Sequence, residues 1–376
     1  MKKSVFNGAG IKRRSFLKTF GISSVGMGLG FPFFARRGRA SQQTAGSPVA
    51  VWKTDADGNR YFVPQNLWTD EVNDKNQLTA RVDGWPRTYT LREFSDEFHD
   101  WWIEEKMWYY DELIAFVEGE SESFHIPNGG HHHPMLSTYG RIFGKRGDSD
   151  FHLNTAVKGF TIIPKQSNID YINTEVAKVY ETGSIPGDLF NLRKQLYQDK
   201  SLWDKTRFAT LELYSGRPIN IADPEGPFGF TETHTFQNVY VNPMATLSYM
   251  SLYNTEGGQS YLGGAADLTP HFEFRGFCWL VSYYNPANTG YEKAIADYIN
   301  GAHCGWHGGA CDVTTNIFLI AEQFNNTPDY DAGRGKRVVP PESYGQAGMR
   351  VVKPHGKKML SKRERIELIK KLRLPV

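Results

Sequence analysis

Residues 245–250 read Ala-Thr-Leu-Ser-Tyr-Met, apolar and polar side chains in strict alternation. A period of two places Ala245, Leu247 and Tyr249 on one face of an extended segment and Thr246 and Ser248 on the other, which predicts a strand with one face buried. Just before it stand His234, Thr235, Gln237 and Asn238, followed by Asn242-Pro243. The spacing reads as a polar loop that empties into a strand. Scaffolds commonly present ligand-binding groups at such places, because loops at the ends of rigid elements carry the chemistry.

The neighbouring segments supply candidate partners. Strands are predicted at 207–214 and 219–222, separated by the turn Ser215-Gly216-Arg217-Pro218, and together with 245–250 they form an antiparallel meander. A long aromatic strand is predicted over 272–284, and another from Thr314 to Ile320. Upstream, Asp57-Gly58-Asn59 marks a hairpin turn between Val51-Trp52 and 61–63. From Thr90 to Glu118, Phe94, Phe98, Trp101, Trp102, Met107, Leu113 and Phe116 recur near a helical period, so one long helix or two short ones pack an aromatic face on the core. A strand at 159–164 follows, and 170–200 reads as two helical pieces broken at 183–187, where Gly and Pro interrupt the period.

The chain ends bear on location. Lys12 to Lys18 reads KRRSFLK, with the pair Arg13-Arg14, then a glycine-rich apolar run and a Gly38-Arg39-Ala40 site; this resembles a twin-arginine (Tat) export signal over residues 1–40. The expected destination is the periplasm or another exported compartment. That pathway moves folded proteins, often with a cofactor already inserted, so a bound cofactor is expected. Of 43 basic and 41 acidic residues, nine basic and no acidic ones lie in the signal, which leaves 34 against 41, a net charge of −7. Nine more basic residues lie from Lys353 onward, so the body is strongly acidic. This charge excludes nucleic acid as a partner, since phosphate binding needs clustered Lys and Arg. No segment after Phe34 approaches the roughly twenty apolar residues of a membrane span.

Two histidine-rich clusters offer a second chemistry. His125, His131, His132 and His133 lie on a Gly/Pro loop, and His303, Cys304, His307 and Cys311 follow a predicted helix at 291–300. His131, His133, His303 and His307 could hold a transition metal or haem. The plainer readings are a solvated or substrate-facing loop for the first cluster and a Cys304–Cys311 disulfide for the second, in an oxidising compartment. Cys278, in an apolar strand run, reads as a buried thiol.

The motif order of residues 206–253 resembles the pyridoxamine 5′-phosphate oxidase-like family of FMN-binding split barrels, which has haem-binding relatives. The matching residues are Ala209-Thr210-Leu211, Gly216-Arg217-Pro218, His234-Thr235 with Asn238, and Asn242-Pro243 with Thr246-Leu247-Ser248. The resemblance implies an α+β fold, an antiparallel split β-barrel core with added aromatic-rich helices. It implies FMN as cofactor, its phosphate against residues 234–238 with Arg207 and Arg217 as basic partners, and Gln237, Thr246 and Ser248 beside it. His234 would orient or donate a proton, and the partner would be a small-molecule substrate or a redox protein. The alternative is an exported metal- or haem-binding protein.

The expected organisation is a signal at 1–40, a mixed helix and strand region at 41–164, the split-barrel core at 165–325, and at 326–376 an extended arm with a basic helix. Ser361 and Glu364 have the spacing of a capping box, and Ile366, Ile369 and Leu372 give that helix an apolar side. It suits an acidic partner, including the body of another copy in a homo-oligomer.

Overall fold

A computed structural model describes residues 50–63, 68–69, 76–82, 85–121, 133–140, 153–182, 187–212, 233–250, 270–303, 314–327 and 335–341. The chain is a mixed helix and strand protein with a large antiparallel sheet. Its strands are β1 (Trp52–Thr54), β2 (Arg60–Phe62), β3 (Trp68–Thr69), β4 (Gln77–Val82), β5 (Trp85–Thr90), β6 (Met135–Tyr139), β7 (Leu153–Val157), β8 (Thr161–Pro164), β9 (Trp203–Glu212), β10 (Met244–Met250), β11 (His271–Ser282), β12 (Thr314–Asn325) and β13 (Lys336–Val339). The helices are α1 (Asp96–Glu118), α2 (Ile169–Thr182), α3 (Gly187–Gln198), α4 (His234–Val241) and α5 (Gly290–Tyr298), the last running into a π turn at Ile299–His303. No described helix is long and apolar enough to cross a membrane.

The large sheet runs β7-β6-β10-β11-β12-β9-β8, with β13 added on β12. Strands β7 and β8 lie at opposite ends of that order, yet only residues 158–160 join them. A flat seven-strand sheet would hold its edges about 29 Å apart at roughly 4.8 Å per spacing. The four Cα steps from Val157 to Thr161 reach about 15 Å at most. The sheet is therefore strongly curled, but no ladder joins β7 to β8 among the described residues, so it is not closed.

The concave side is filled by rings. Phe98 of α1 meets Phe208 on β9 (5.6 Å between centroids), Tyr249 on β10 (5.2 Å), and Phe272 and Phe274 on β11 (5.3 and 4.7 Å). One side chain thus ties three strands together, and each buried ring of this size removes roughly 150–250 Å² from water. Helix α1 begins at this plug because Ser95 caps it, its Oγ accepting from the Phe98 N–H at 3.2 Å. Ser95 is itself held by Gln323 of β12, whose Oε1 accepts from the Ser95 N–H at 2.7 Å and whose Nε2 donates to its Oγ at 2.9 Å. The helix ends at Gly119, whose φ of 78° suits a residue without Cβ. Beyond the sheet, Tyr197 of α3 stacks on Trp203 of β9 at 4.3 Å and on Tyr110 of α1 at 5.8 Å. One buried cluster runs from Ala50 to Ile320 and includes residues from both sides of position 164.

Two expectations are corrected. Strands β9 and β10 are not joined in a meander through a strand at 219–222, a segment outside the described residues: β11 and β12 lie between them in the sheet, and β10 pairs with β6 and β11. The segment 234–241 is not a loop but helix α4, capped by Thr233, whose Oγ1 accepts from the Phe236 N–H at 3.0 Å. The apolar residues Phe236, Val239 and Tyr240 carry its helical period, and the polar residues between them obscured it. Within the arm expected after residue 326, residues 336–339 form β13.

Candidate functional site

On the convex side of the same sheet lies a groove of about 750 Å³, walled by β5 and Pro340 and floored by β6, β10, β11 and β12. Its size falls within the range of small-molecule pockets, roughly 300–1,000 Å³. Its floor is shaped by a bulge. The β11–β12 register shifts between Arg275 and Gly276, and a Cβ on Gly276 would come within 1.9 Å of the Leu319 carbonyl oxygen. Only glycine allows the backbones to approach this closely. The next residue, Phe277, is buried beneath the half-buried Tyr89, with ring centroids 4.5 Å apart. At the rim, Met244, Tyr139 and Leu153 leave apolar surface open to solvent.

Among the described residues, three charged side chains line the groove: Arg92, Arg275 and Glu322. Arg275 is engaged, its Nε lying 2.8 Å from Glu273 Oε1 and its guanidinium 4.1 Å from the Phe324 ring centroid. Glu322 is engaged by Arg337 at 3.1 Å. Arg92 is exposed, and among the described residues no hydrogen bond or ion pair engages its guanidinium. Its backbone is fixed, the N–H donating to the Ile320 carbonyl at 2.8 Å. Hydroxyls of Thr88, Thr90, Ser137 and Thr246, with Thr138, Tyr139 and Asn242, add to the polar lining.

Of the side chains read from sequence as cofactor ligands, Thr246 lies in this groove. Ser248 shares its face of β10 two residues farther on, opposite Glu273 and Met135. The others serve different ends. Thr235 is buried and accepts from Asn154 Nδ2 at 2.9 Å. Asn238 is buried and donates to the Thr138 Oγ1 at 3.2 Å. These two bonds fasten α4 to β6 and β7, while Phe236 packs on Phe62 at 5.2 Å and Tyr240 donates to the Val63 carbonyl at 2.7 Å. Gln237 is half-buried on the same helix, and His234 is exposed at its first residue. The helix has eight residues, and at roughly 1.5 Å each they put His234 about 12 Å from the end where Asn242 meets the groove. Arg207 is committed elsewhere: its Nε pairs with Asp204 at 3.1 Å and its guanidinium lies 4.9 Å from the Tyr291 ring centroid.

Arg217, His131, His307, Cys304 and Cys311 lie outside the described residues. Of His303 only the backbone is described, at the end of the π turn, and His133 precedes β6. No group of three metal-ligating side chains occurs among the described residues. Cys278 is buried on β11 and forms no disulfide among the described residues, as its apolar run suggests. The groove residues Tyr89, Arg92, Arg275 and Phe277 were not singled out as site residues from sequence. The available signal was Gly276, an isolated glycine inside a strand pattern, which marks a bulge or close backbone approach.

No protein-family model matches the sequence, and no curated protein matches it. A crystal structure of tagged HupZ from Group A Streptococcus is similar over 52% of this chain and 86% of that one, at 10% identity and a TM-score of 0.23. A likeness that loose carries no argument about fold or function.

Proposed function

We propose that the chain is an exported flavin-binding protein of the split-barrel kind, oxidoreductase-like, with FMN held in the groove on the convex face of the sheet. The observation that carries the reading is the groove itself. It joins an aromatic and apolar lining, from Tyr89, Phe277, Tyr139 and Met244, to several hydroxyls and an arginine that no described residue engages. That donor set fits a flat ring system with a polar edge and one anionic tail. The strong curl of the sheet, with its two edges brought close by residues 158–160, supports a split rather than flat arrangement. The export motif around Arg13-Arg14 supports a cofactor loaded before transport.

Bound flavin would supply one- and two-electron transfer. The chain's own part is to bind and orient it. Tyr89 and Phe277 offer a dry bed, Thr246 and Ser137 offer hydrogen bonds to the polar edge, and Arg92 offers a positive charge. The test is the absorption and fluorescence spectrum of protein exported by its own signal, followed by titration with FMN. About one equivalent of flavin supports the reading. A Soret band would assign the groove to haem, and protein that neither carries nor takes up flavin ends the proposal.

A further inference from the structure

We infer that the groove selects ligands bearing an anionic group, and that Arg92 makes the selection. The inference rests on the groove being the binding site, as proposed above, and not on the ligand being FMN. Charge accounting carries it. Arg275 and Glu322 face the groove already paired, with Glu273 and Arg337 respectively, so neither offers a ligand a full uncompensated charge. Arg92 does, within a described lining whose other members, apart from the paired Arg275 and Glu322 and the Asn242 amide, are apolar or hydroxylic.

Its position is built rather than incidental. The Arg92 N–H is bonded to Ile320 of β12, and on either side Leu91 and Phe94 are buried. Phe94 stacks on Phe208 at 5.5 Å, and its N–H donates to the Lys205 carbonyl at 2.8 Å. The backbone that carries Arg92 is thus tied to two strands of the sheet while its side chain is left to the groove. An arginine held in this way recognises phosphate, sulfonate or carboxylate through paired N–H donors. The other arginine lining the groove, Arg275, is spent on a protein carboxylate. Arg92 is the specificity-determining residue, and the ligand class is a flat, largely apolar molecule with one anionic group.

Two matched probe pairs test this on the mature full chain. FMN and riboflavin differ by a phosphate. The dyes 8-anilinonaphthalene-1-sulfonate and N-phenyl-1-naphthylamine differ by a sulfonate. The native protein is expected to prefer the anionic member of a pair. Arg92→Gln should weaken that member's binding by about 10- to 100-fold, the worth of a charge-assisted hydrogen bond, and leave the neutral member unchanged. Arg92→Lys should recover part of the preference, because it keeps the charge but not the paired donors. The Arg92 side chain makes no described bond, so the variants should fold, and an unchanged thermal midpoint checks it. A preference that survives in Arg92→Gln overturns the inference, as does native protein that shows none. If neither flavin binds while the dyes behave as expected, the flavin reading falls and the role of Arg92 stands. If none of the four probes binds, both fall.

Discussion

The two faces of the curled sheet use the same kind of residue to opposite ends. On the concave face, Phe208, Tyr249, Phe272 and Phe274 are sealed by Phe98 from a capped helix, and the helix start is fastened by polar side chains of β12: Gln323 holds Ser95, and Asn325 donates to Glu97 at 3.1 Å. On the convex face, Phe277 and Tyr89 form an equally close pair, but Tyr89, which lies over the buried Phe277, is only half-buried and no described helix covers it, and a groove stands open with Arg92, unengaged among the described residues, at its side. Aromatic content alone does not distinguish core from site. What distinguishes them is whether the chain supplies the covering layer, since buried apolar surface is stabilising wherever it is covered and available to a ligand where it is not.

The sharpest way to break that contrast is to truncate one ring on each side. Phe98→Ala is expected to cost about 3–5 kcal/mol in chemical denaturation, because it leaves a cavity where three strands meet. Tyr89→Ala, at the half-buried ring that lines the groove, should cost less and show mainly as weakened FMN or dye binding; equal losses of stability for the two would erase the distinction. Next in size, Gly276→Ala puts a Cβ against the Leu319 carbonyl, so it should cost about 1–3 kcal/mol as overpacking does and also reshape the groove. Denaturation and probe titration on one variant would read both effects.

A smaller effect tests the far end of the concave face. Asn316 is fully buried with neither side-chain atom hydrogen-bonded among the described residues, unlike Gln323 and Asn325 on the same strand. Replacing an unsatisfied buried amide by an apolar group of like volume removes its desolvation cost, so Asn316→Leu should raise stability by about 1 kcal/mol. A lowered midpoint would instead mean that the amide holds a buried water or ligand group.

The seal itself is sensitive to acid. Burial, with the Lys205 and Lys200 charges beside it, lowers the His99 pKa to about 4, against the opposing pull of Asp100 and Asp96. Its neutral form is the folded one, so the unfolded chain takes up the proton first as pH falls. Stability from this group is complete above about 6.5, declines between roughly 6.5 and 4, and levels off below. His99→Gln should flatten the urea midpoint over that window relative to the native protein, and identical slopes would remove His99 from the account.

Local pattern made much of the fold legible. The aromatic period of 90–118 marked α1, the Gly/Pro break at 183–187 separated α2 from α3, and the turn at Asp57-Gly58-Asn59 marked the β1–β2 hairpin, because helix period and turn chemistry are properties of adjacent residues. The alternation at 245–250 correctly divided β10 into a buried face at Leu247 and Tyr249 and a groove face at Thr246. The site was much less legible. Thr235, Asn238 and Arg207 have the chemistry of ligands, yet each is spent on a contact that sequence does not display: Asn154, Thr138 and Asp204.

By itself, then, the sequence determined the long aromatic helix, several strands with their apolar faces, and an acidic body between a basic leader and a basic tail, but not helix α4, which read as a loop. The tertiary structure alone decided that β10 lies between β6 and β11, and which aromatic surface received a helix. It also decided that Tyr89, Arg92, Thr246, Phe277 and Pro340 share one groove. The reason is that strand partners are chosen by non-local packing, and a polar side chain becomes a fastening or a site only through the neighbours that packing brings to it.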